Sequence, residues 1–328
     1  MAGTGDAHLR RDATLSVRDL VVEFPAAKKQ VVHAVSGVSF DIVAGETLGV
    51  VGESGCGKTT SGRAVMQLER PTSGQVILRS DDLTALSGVT LRRARRAMQM
   101  IFQDPVSSLN PSRRVKDIVR EGLEIWDEAE GAFTDGRVND IMEAVGLVGP
   151  DVGERRPHEF SGGQCQRICI ARALVMDPDV LILDEPVSAL DVSVQAQILN
   201  LLDKLKAQFQ LTMMFISHDL AVVKNVSDRV MVMYLGKVCE VAGTDSLYDR
   251  PTHPYSRALL ASIPGNDLGL PPASELISGE LPSPIDPPSG CRFRTRCPHA
   301  TDRCATEEPV LRAVAEDHYV ACHHPVGV

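Results

Sequence analysis

The sequence has no apolar run that could cross a bilayer. A spanning helix needs about 20 consecutive apolar residues, and the longest candidates, Leu181–Leu183 and Val230–Leu235, have only the length of strands. Any role at a membrane must therefore come through partners. An excess of positive charge is also missing. Lys and Arg number 34 against 43 Asp and Glu, for a net charge of −9. That argues against a general nucleic-acid binder, whose phosphate contacts call for a basic face, although a small basic pocket for one ligand stays open. There is no tandem repeat. Arg10-Arg11 could open a twin-arginine signal, but Asp12-Ala13-Thr14 follows where an apolar region belongs, so a cytoplasmic location is expected. Tryptophan is nearly absent, with Trp126 alone.

Cysteine is plentiful. Cys56, Cys165, Cys169 and Cys239 are scattered, whereas Cys291, Cys297, Cys304 and Cys322 fall within the last 38 residues. In a reducing cytosol such a cluster points to metal more than to disulfides. The 328 residues suffice for about two domains of ~100–200 residues each.

Along the chain, residues 1–13 read as a flexible N-terminus and residues 15–50 as short strands. Thr47–Val51 is an apolar strand, and a helix is expected to begin near Lys58. A strand is expected over Gln75–Arg79. Residues 104–165 carry charged helical stretches and few strand signals, the mark of an inserted helical subdomain. Alternation then resumes with helix Gln166–Met176, strand Val180–Leu183, helix Gln195–Phe209 and strands Leu211–Ser217 and Val230–Tyr234. Ile198, Leu202, Leu205 and Phe209 share one helical face and are expected in the core. From about residue 246 prolines break up any long element, and 246–328 reads as a separate C-terminal region.

Three motifs carry the chemistry. Gly52-Glu53-Ser54-Gly55-Cys56-Gly57-Lys58-Thr59 fits the P-loop pattern, with an apolar strand before it and a helix after it. Its glycines let successive N–H groups curl around phosphates, Lys58 reaches the β/γ oxygens, Thr59 offers a hydroxyl to Mg²⁺, and Thr60 donates toward the α-phosphate. Asp184 ends an apolar strand as a Mg²⁺-directed carboxylate, and Glu185 beside it could polarise an attacking water. Ser161-Gly162-Gly163-Gln164 is a second glycine-rich anion grip ahead of a helix. One nucleotide needs only one cradle, so two different grips imply that two chains share each nucleotide.

The order of these motifs resembles the nucleotide-binding subunit of ATP-binding cassette (ABC) transporters over about residues 15–245. Residues 52–59 look like Walker A, Gln103 in Met100–Pro105 like the Q-loop, Phe160–Gln164 like the signature with Phe in place of the frequent Leu, and 180–185 like Walker B. Ser188–Asp191 looks like the D-loop and His218 like the switch histidine. The resemblance implies an α/β fold: a P-loop NTPase (RecA-like) core with an antiparallel β subdomain, the inserted helical subdomain and a small Cys-containing C-terminal region. It places the ATPase domain at 14–245. It further implies that Glu185, His218 and Gln103 act in catalysis, that Ser54, Gly55, Cys56, Gly57, Lys58, Thr59 and Thr60 hold ATP, and that Thr59, Gln103 and Asp184 hold Mg²⁺. Ser161–Gln164 and Asp191 would serve the site of a partner. Phe24 is the expected adenine-stacking residue, with Val31–His33 as the alternative. A P-loop kinase fails on Ser161–Gln164 and His218, and a soluble translation or repair cassette fails on length.

Several further stretches resemble the oligopeptide/dipeptide group, whose cargo also includes nickel: Phe102–Pro111, His158–Gln164, His253–Leu260 and Gly279–Cys291. This implies a second, unlike ATPase subunit, two transmembrane permease subunits, an extracellular binding protein and a place at the cytoplasmic face of the membrane, with peptide as cargo. The spacing Cys291-x5-Cys297-x6-Cys304-x17-Cys322 suits tetrahedral zinc or an iron–sulfur cluster, with His299, His318, His323 and His324 as substitute zinc ligands. The resemblance favours [4Fe–4S].

Overall fold

The computed structural model describes residues 5–126, 131–263 and 271–328. The beginning of the expected N-terminal segment, residues 127–130 of the expected helical insertion, and Pro264 lie outside the described residues.

In chain order the elements are β1 (Ala13–Pro25), β2 (Val31–Val43), β3 (Thr47–Val51), α1 (Lys58–Val65), β4 (Ser73–Leu78), β5 (Asp81–Asp82), α2 (Gly88–Arg96), β6 (Met98–Ile101) and α3 (Val115–Ile125). There follow α4 (Gly131–Ala144), α5 (Gly162–Leu174), β7 (Val180–Asp184), α6 (Val192–Phe209), β8 (Thr212–Ile216), α7 (Leu220–Val226), β9 (Arg229–Tyr234), β10 (Lys237–Gly243) and α8 (Thr244–Asp249). The tail adds α9 (Pro254–Ala261), α10 (Ala273–Leu276), α11 (Asp302–Thr306), β11 (Arg312–Ala315) and β12 (His318–Val320). Two compact units divide the chain: Met1–Leu86 with Phe215–Val328, and Ser87–Met214.

The first unit contains two sets of strands. One is an antiparallel sheet in the order β2-β1-β4-β5, in which Phe24 pairs with Val32 and Val17 with both Phe40 and Val76. In the other, β3 runs parallel to β9, β9 antiparallel to β10, and β10 antiparallel to β12, which pairs in turn with β11. Every residue of β3 and β9 is buried, as expected of strands covered on both faces. Ion pairs tie the two sets together: Arg229 on β9 meets Asp41 on β2 at 3.2 Å and Glu46 at 3.0 Å, and Arg10 joins both carboxylates.

The tail is stitched into this unit. Glu240 on β10, fully buried, accepts hydrogen bonds from the Thr252 N–H (2.7 Å) and hydroxyl (2.7 Å), the His253 N–H (3.0 Å) and the His318 ring (2.6 Å). Burial alone would raise its pKa; the bonds from His318 and Thr252 outweigh that and hold it below the ordinary value. No strand is expected from the sequence beyond residue 246, yet β12 extends β10. Its three residues are too few to show an alternation; it exists because an already formed edge offers it partners.

In the second unit β6 runs parallel to β7, with Met98 opposite Val180 and Ile101 opposite Leu183. Helix α5 packs on β6, α3 and α6. The buried face of α3 is Val115, Ile118, Val119 and Leu123, spaced as a helix requires. Two expected helix starts move earlier. Ser161 is the N-cap of α5, so Gly162 and Gly163 are its first turn, and Asp191 caps α6 at Val192. The stripe Ile198, Leu202 and Leu205 is buried as expected; Phe209, the last residue of α6, is 36% exposed, and Leu201 lies in the core instead.

Candidate nucleotide site

In the first unit β3 ends at Val51 and delivers the loop 52–57 onto the N-terminus of α1, whose N-cap Gly57 offers no side chain to occupy the free N–H groups. Two glycines are dictated by space. A Cβ on Gly52 (φ +152°) would stand 2.1 Å from the Met233 carbonyl oxygen, and one on Gly57 (φ +101°) 2.3 Å from that of Ala34. Ser54 and Gly55 form the exposed tip. Cys56 points inward, its carbonyl accepting from the Gly236 N–H at 2.9 Å. Burial pushes its thiol pKa up, so it packs as a small apolar side chain and not as a reactive thiolate.

Lys58 is 5% exposed and folds back over the loop, its Nζ donating to the carbonyls of Gly52 (2.7 Å) and Glu53 (3.1 Å). An ammonium ringed by backbone carbonyls beside an uncapped helix start fits an arriving phosphate, which offers it stronger acceptors. Thr59 and Thr60 follow in the first turn, half-buried. Phe24 is half-buried on β1. Next to it His33 Nδ1 pairs with Glu23 at 2.8 Å, and the His33 N–H donates to the Pro284 carbonyl at 2.9 Å. His218 is exposed just past β8, followed by Asp219, which caps α7 through the N–H groups of Ala221 and Val222.

In the second unit Asp184 ends β7, buried, and Glu185 follows with a left-handed backbone, φ 49°. A non-glycine residue held there stores strain of about 1–3 kcal/mol, a feature that clusters at functional sites. The Gln103 side-chain amide donates to the Glu185 carboxylate at 2.9 Å. The Glu185 carbonyl also accepts from the Ser188 hydroxyl at 3.0 Å, which folds the loop toward Asp191. Asp191 is exposed, and hydrogen bonds from Ser193 and the Val194 N–H hold its carboxyl below the ordinary range.

Ser161 and Gln164 close a capping box. The Ser161 hydroxyl accepts from the Gln164 N–H (3.4 Å), and the Gln164 side chain accepts from the Ser161 N–H (3.0 Å). Ser161, Gly162 and Gln164 are exposed, whereas Gly163 faces α6, where a Cβ would come within 2.4 Å of Val194 Cγ1. One glycine of the pair thus serves packing, and the other stays open to solvent. The Ser-x-x-Gln capping signal was present in the sequence and moves the helix start to residue 162.

The C-terminal cysteines do not form a metal centre here. Among the described residues no group of three or more His, Cys, Asp or Glu could hold a metal ion. Burial pushes Cys291 up to about 11 and Cys322 up to about 12, and neighbouring thiols add to both. Three of the four substitute histidines are turned elsewhere: His318 to Glu240, His323 Nε2 to the Glu307 carbonyl (2.9 Å) and His324 Nε2 to the Thr301 hydroxyl (2.9 Å). The expected zinc or [4Fe–4S] centre therefore gains no support from this geometry.

A contact absent from the sequence reading lies at Glu53. Its N–H donates to the Tyr255 hydroxyl at 2.9 Å, and its carboxylate pairs with Arg296 at 2.8 Å. No local pattern announces partners 202 and 243 positions away.

A strand-to-helix phosphate cradle in one unit, and a strand-end carboxylate pair with an exposed helix-terminal glycine grip in the other, are the parts of a P-loop nucleotide-hydrolysing cassette. The chain belongs to the ABC transporter family. A family model described as "ABC transporter" matches residues 35–188, and one described as "Oligopeptide/dipeptide transporter, C-terminal region" matches residues 239–304. The chain is similar to a putative oligopeptide transport ATP-binding protein, YkfD, of Bacillus subtilis, with 51% identity covering 96% of each chain. It is also similar to the oligopeptide transport ATP-binding protein OppF of Haemophilus influenzae, with 48% identity covering 90% of each. Among solved structures, the dimeric bacterial ABC transporter cassette MJ0796 matches with a TM-score of 0.63 and 26% identity, covering 70% of this chain and 98% of that one.

Proposed function

We propose that the chain is the ATP-binding and ATP-hydrolysing subunit that powers an importer for oligopeptides or dipeptides. The observation that carries this reading is the joint occurrence, in one chain, of the P-loop geometry around Lys58 and the match of residues 239–304 to the oligopeptide/dipeptide transporter C-terminal region. Relatives named as oligopeptide transport ATP-binding proteins, aligned over nearly the whole length, support it.

The residues divide the work as follows. Lys58 leaves its two carbonyl partners to hold the β/γ oxygens. The N–H groups of Gly55–Thr60 cradle the phosphates, and Phe24 stacks on the adenine. Thr59, Gln103 and Asp184 would hold Mg²⁺, which would supply neutralising charge to the phosphates. Glu185 takes the proton of the attacking water, whose oxygen bonds to the γ-phosphorus as the bond to ADP breaks, and His218 holds the γ-phosphate. Ser161–Gln164 and Asp191 serve the nucleotide of a second ATPase subunit. Their exposure supports this, as does the dimeric form of the related cassette.

The second subunit is proposed to be an unlike chain, joined by two transmembrane permease subunits and, through them, an extracellular binding protein. No helix among the described residues is long and apolar enough to cross a membrane, which fits peripheral attachment at the cytoplasmic face. The proposed division is an N-terminal segment to residue 13, an ATPase domain at 14–245 with a helical subdomain at about 104–165, and a C-terminal region at 246–328. A [4Fe–4S] centre on Cys291, Cys297, Cys304 and Cys322 rests on the cysteine spacing and the subfamily resemblance alone, since among the described residues no group of three or more such side chains could hold a metal ion. No step above passes through it. Iron analysis of anaerobically purified protein tests it, and a colourless, iron-free protein ends it. Co-purification tests the larger reading: the chain is expected with membrane permeases, and recovery only with ribosomes or DNA would refute it.

A further inference from the structure

We infer that Arg296 and Tyr255, both far from the nucleotide motifs in sequence, are positioning residues for ATP binding that act through Glu53. Glu53 is held at three points. Its N–H donates to the Tyr255 hydroxyl (2.9 Å), its carboxylate pairs with Arg296 (2.8 Å), and its carbonyl accepts from Lys58 Nζ (3.1 Å). One residue therefore links the C-terminal region to the lysine of the phosphate cradle.

The link has two physical consequences. The first is mechanical. A ligand's phosphates must draw Lys58 away from the carbonyls of Gly52 and Glu53, and the loop must not follow. With Gly52, Gly55 and Gly57 all at positive φ, the loop has little stiffness of its own. Tyr255 supplies it from a rigid base. Its ring is fully buried, packed edgewise on Tyr234 (centroids 4.8 Å apart) and tilted on Phe293 (5.4 Å). Arg296 stands on the same aromatic base, its guanidinium 5.8 Å from the Tyr234 ring centroid, while its backbone N–H closes a turn on the Phe293 backbone carbonyl at 3.0 Å.

The second consequence is electrostatic. Glu53 places a carboxylate inside a loop built for polyanions. Arg296, with its side chain 10% exposed, neutralises it; without that partner the carboxylate would repel the incoming phosphates. A contact that merely fastened the tail to the cassette would have no reason to make ATP affinity depend on the charge of Glu53.

The inference rests on the reading of residues 52–59 as the nucleotide cradle, which Lys58→Ala tests separately; undiminished binding in that variant would defeat the reading itself. The test of the inference is titration of the full-length protein with a fluorescent methylanthraniloyl ATP and Mg²⁺, alongside ATPase kinetics. Arg296→Gln is expected to weaken binding about tenfold, the weight of one charge-assisted hydrogen bond. KM for ATP should rise while kcat changes less than about twofold, the pattern of lost uniform binding. Arg296→Lys keeps the charge and should retain most of the affinity. Adding Glu53→Gln to Arg296→Gln removes the unpaired carboxylate and should restore much of it. Arg294→Gln alters the same turn, but among the described residues the Arg294 side chain bonds only to Ser289 (2.9 Å), and this variant should bind as the unaltered chain does. If Arg296→Gln does not fold, Tyr255→Phe, which deletes one hydroxyl, must weaken binding on its own. Unchanged affinity in Arg296→Gln, no restoration by Glu53→Gln, or an equal loss in Arg294→Gln would each overturn the inference.

Discussion

The side-chain amide of Gln103 donates to the carboxylate of Glu185 at 2.9 Å, across 82 positions of sequence. Glu185 sits in left-handed backbone at the end of β7, so its carboxylate is aimed by the fold and held by Gln103. The residue proposed to take the water's proton is thus tied to a residue proposed to help hold Mg²⁺.

From this pair comes the first prediction. Glu185→Gln keeps the hydrogen-bonding shape but cannot take a proton. Phosphate release should fall by about 10²–10⁴-fold, the usual weight of a general base, while ATP binding persists and the ATP-bound protein elutes as a closed dimer on size exclusion. Unchanged turnover would remove Glu185 from the base role.

Lys58→Ala acts one step earlier. It deletes the ammonium that now bonds to the Gly52 and Glu53 carbonyls. Equilibrium titration with labelled ATP should show binding lost, with the thermal midpoint changed far less than binding.

Gly57 is fixed by geometry. With φ at +101° and the Ala34 carbonyl oxygen 2.3 Å from any Cβ, Gly57→Ala must displace backbone. Denaturant titration should show a loss of about 1–3 kcal/mol, together with weakened ATP binding. Gly55→Ala, which meets no atom within 4 Å, should cost less.

Acid should loosen the anchoring of the tail. Burial pushes His253 down to about 4 from 6.5, and its ring nitrogen accepts from the Tyr255 N–H at 3.0 Å at the start of α9. Because the folded pKa lies below the unfolded one, the unfolded chain binds the extra proton between those values. Stability is therefore complete above pH 6.5 and falls as pH drops toward 4, by about 3 kcal/mol in all. Glu240, also depressed, adds to the loss at the acid end. Denaturant titrations at pH 7.5 and pH 5 check this. His253→Asn keeps an acceptor for the cap and should flatten the difference.

The strands that flank the cradle and the carboxylate pair were legible because they are continuous apolar runs ended by turn residues: Thr47–Val51 is β3 to the residue, and Val180–Leu183 is β7 less its last residue. Helix starts were less legible. At Ser161 and Asp191 the boundary is set by a side chain capping its own helix, and apolar periodicity begins a turn later. The C-terminal region was hardest to read. Its prolines announce breaks, but β12, the Glu240–His318 bond and the hold of Arg296 and Tyr255 on Glu53 join residues from 76 to more than 200 positions apart, and no window of sequence contains both partners. The cysteine spacing was legible and pointed to a metal centre that the geometry does not bring together.

Uptake of a labelled oligopeptide by cells carrying Glu185→Gln in place of the unaltered chain tests the central claim most directly. Uptake should be abolished while the variant still co-purifies with the permease subunits and still binds ATP. Uptake at the unaltered rate, with the variant as the sole copy, would contradict the claim that hydrolysis by this chain drives peptide import.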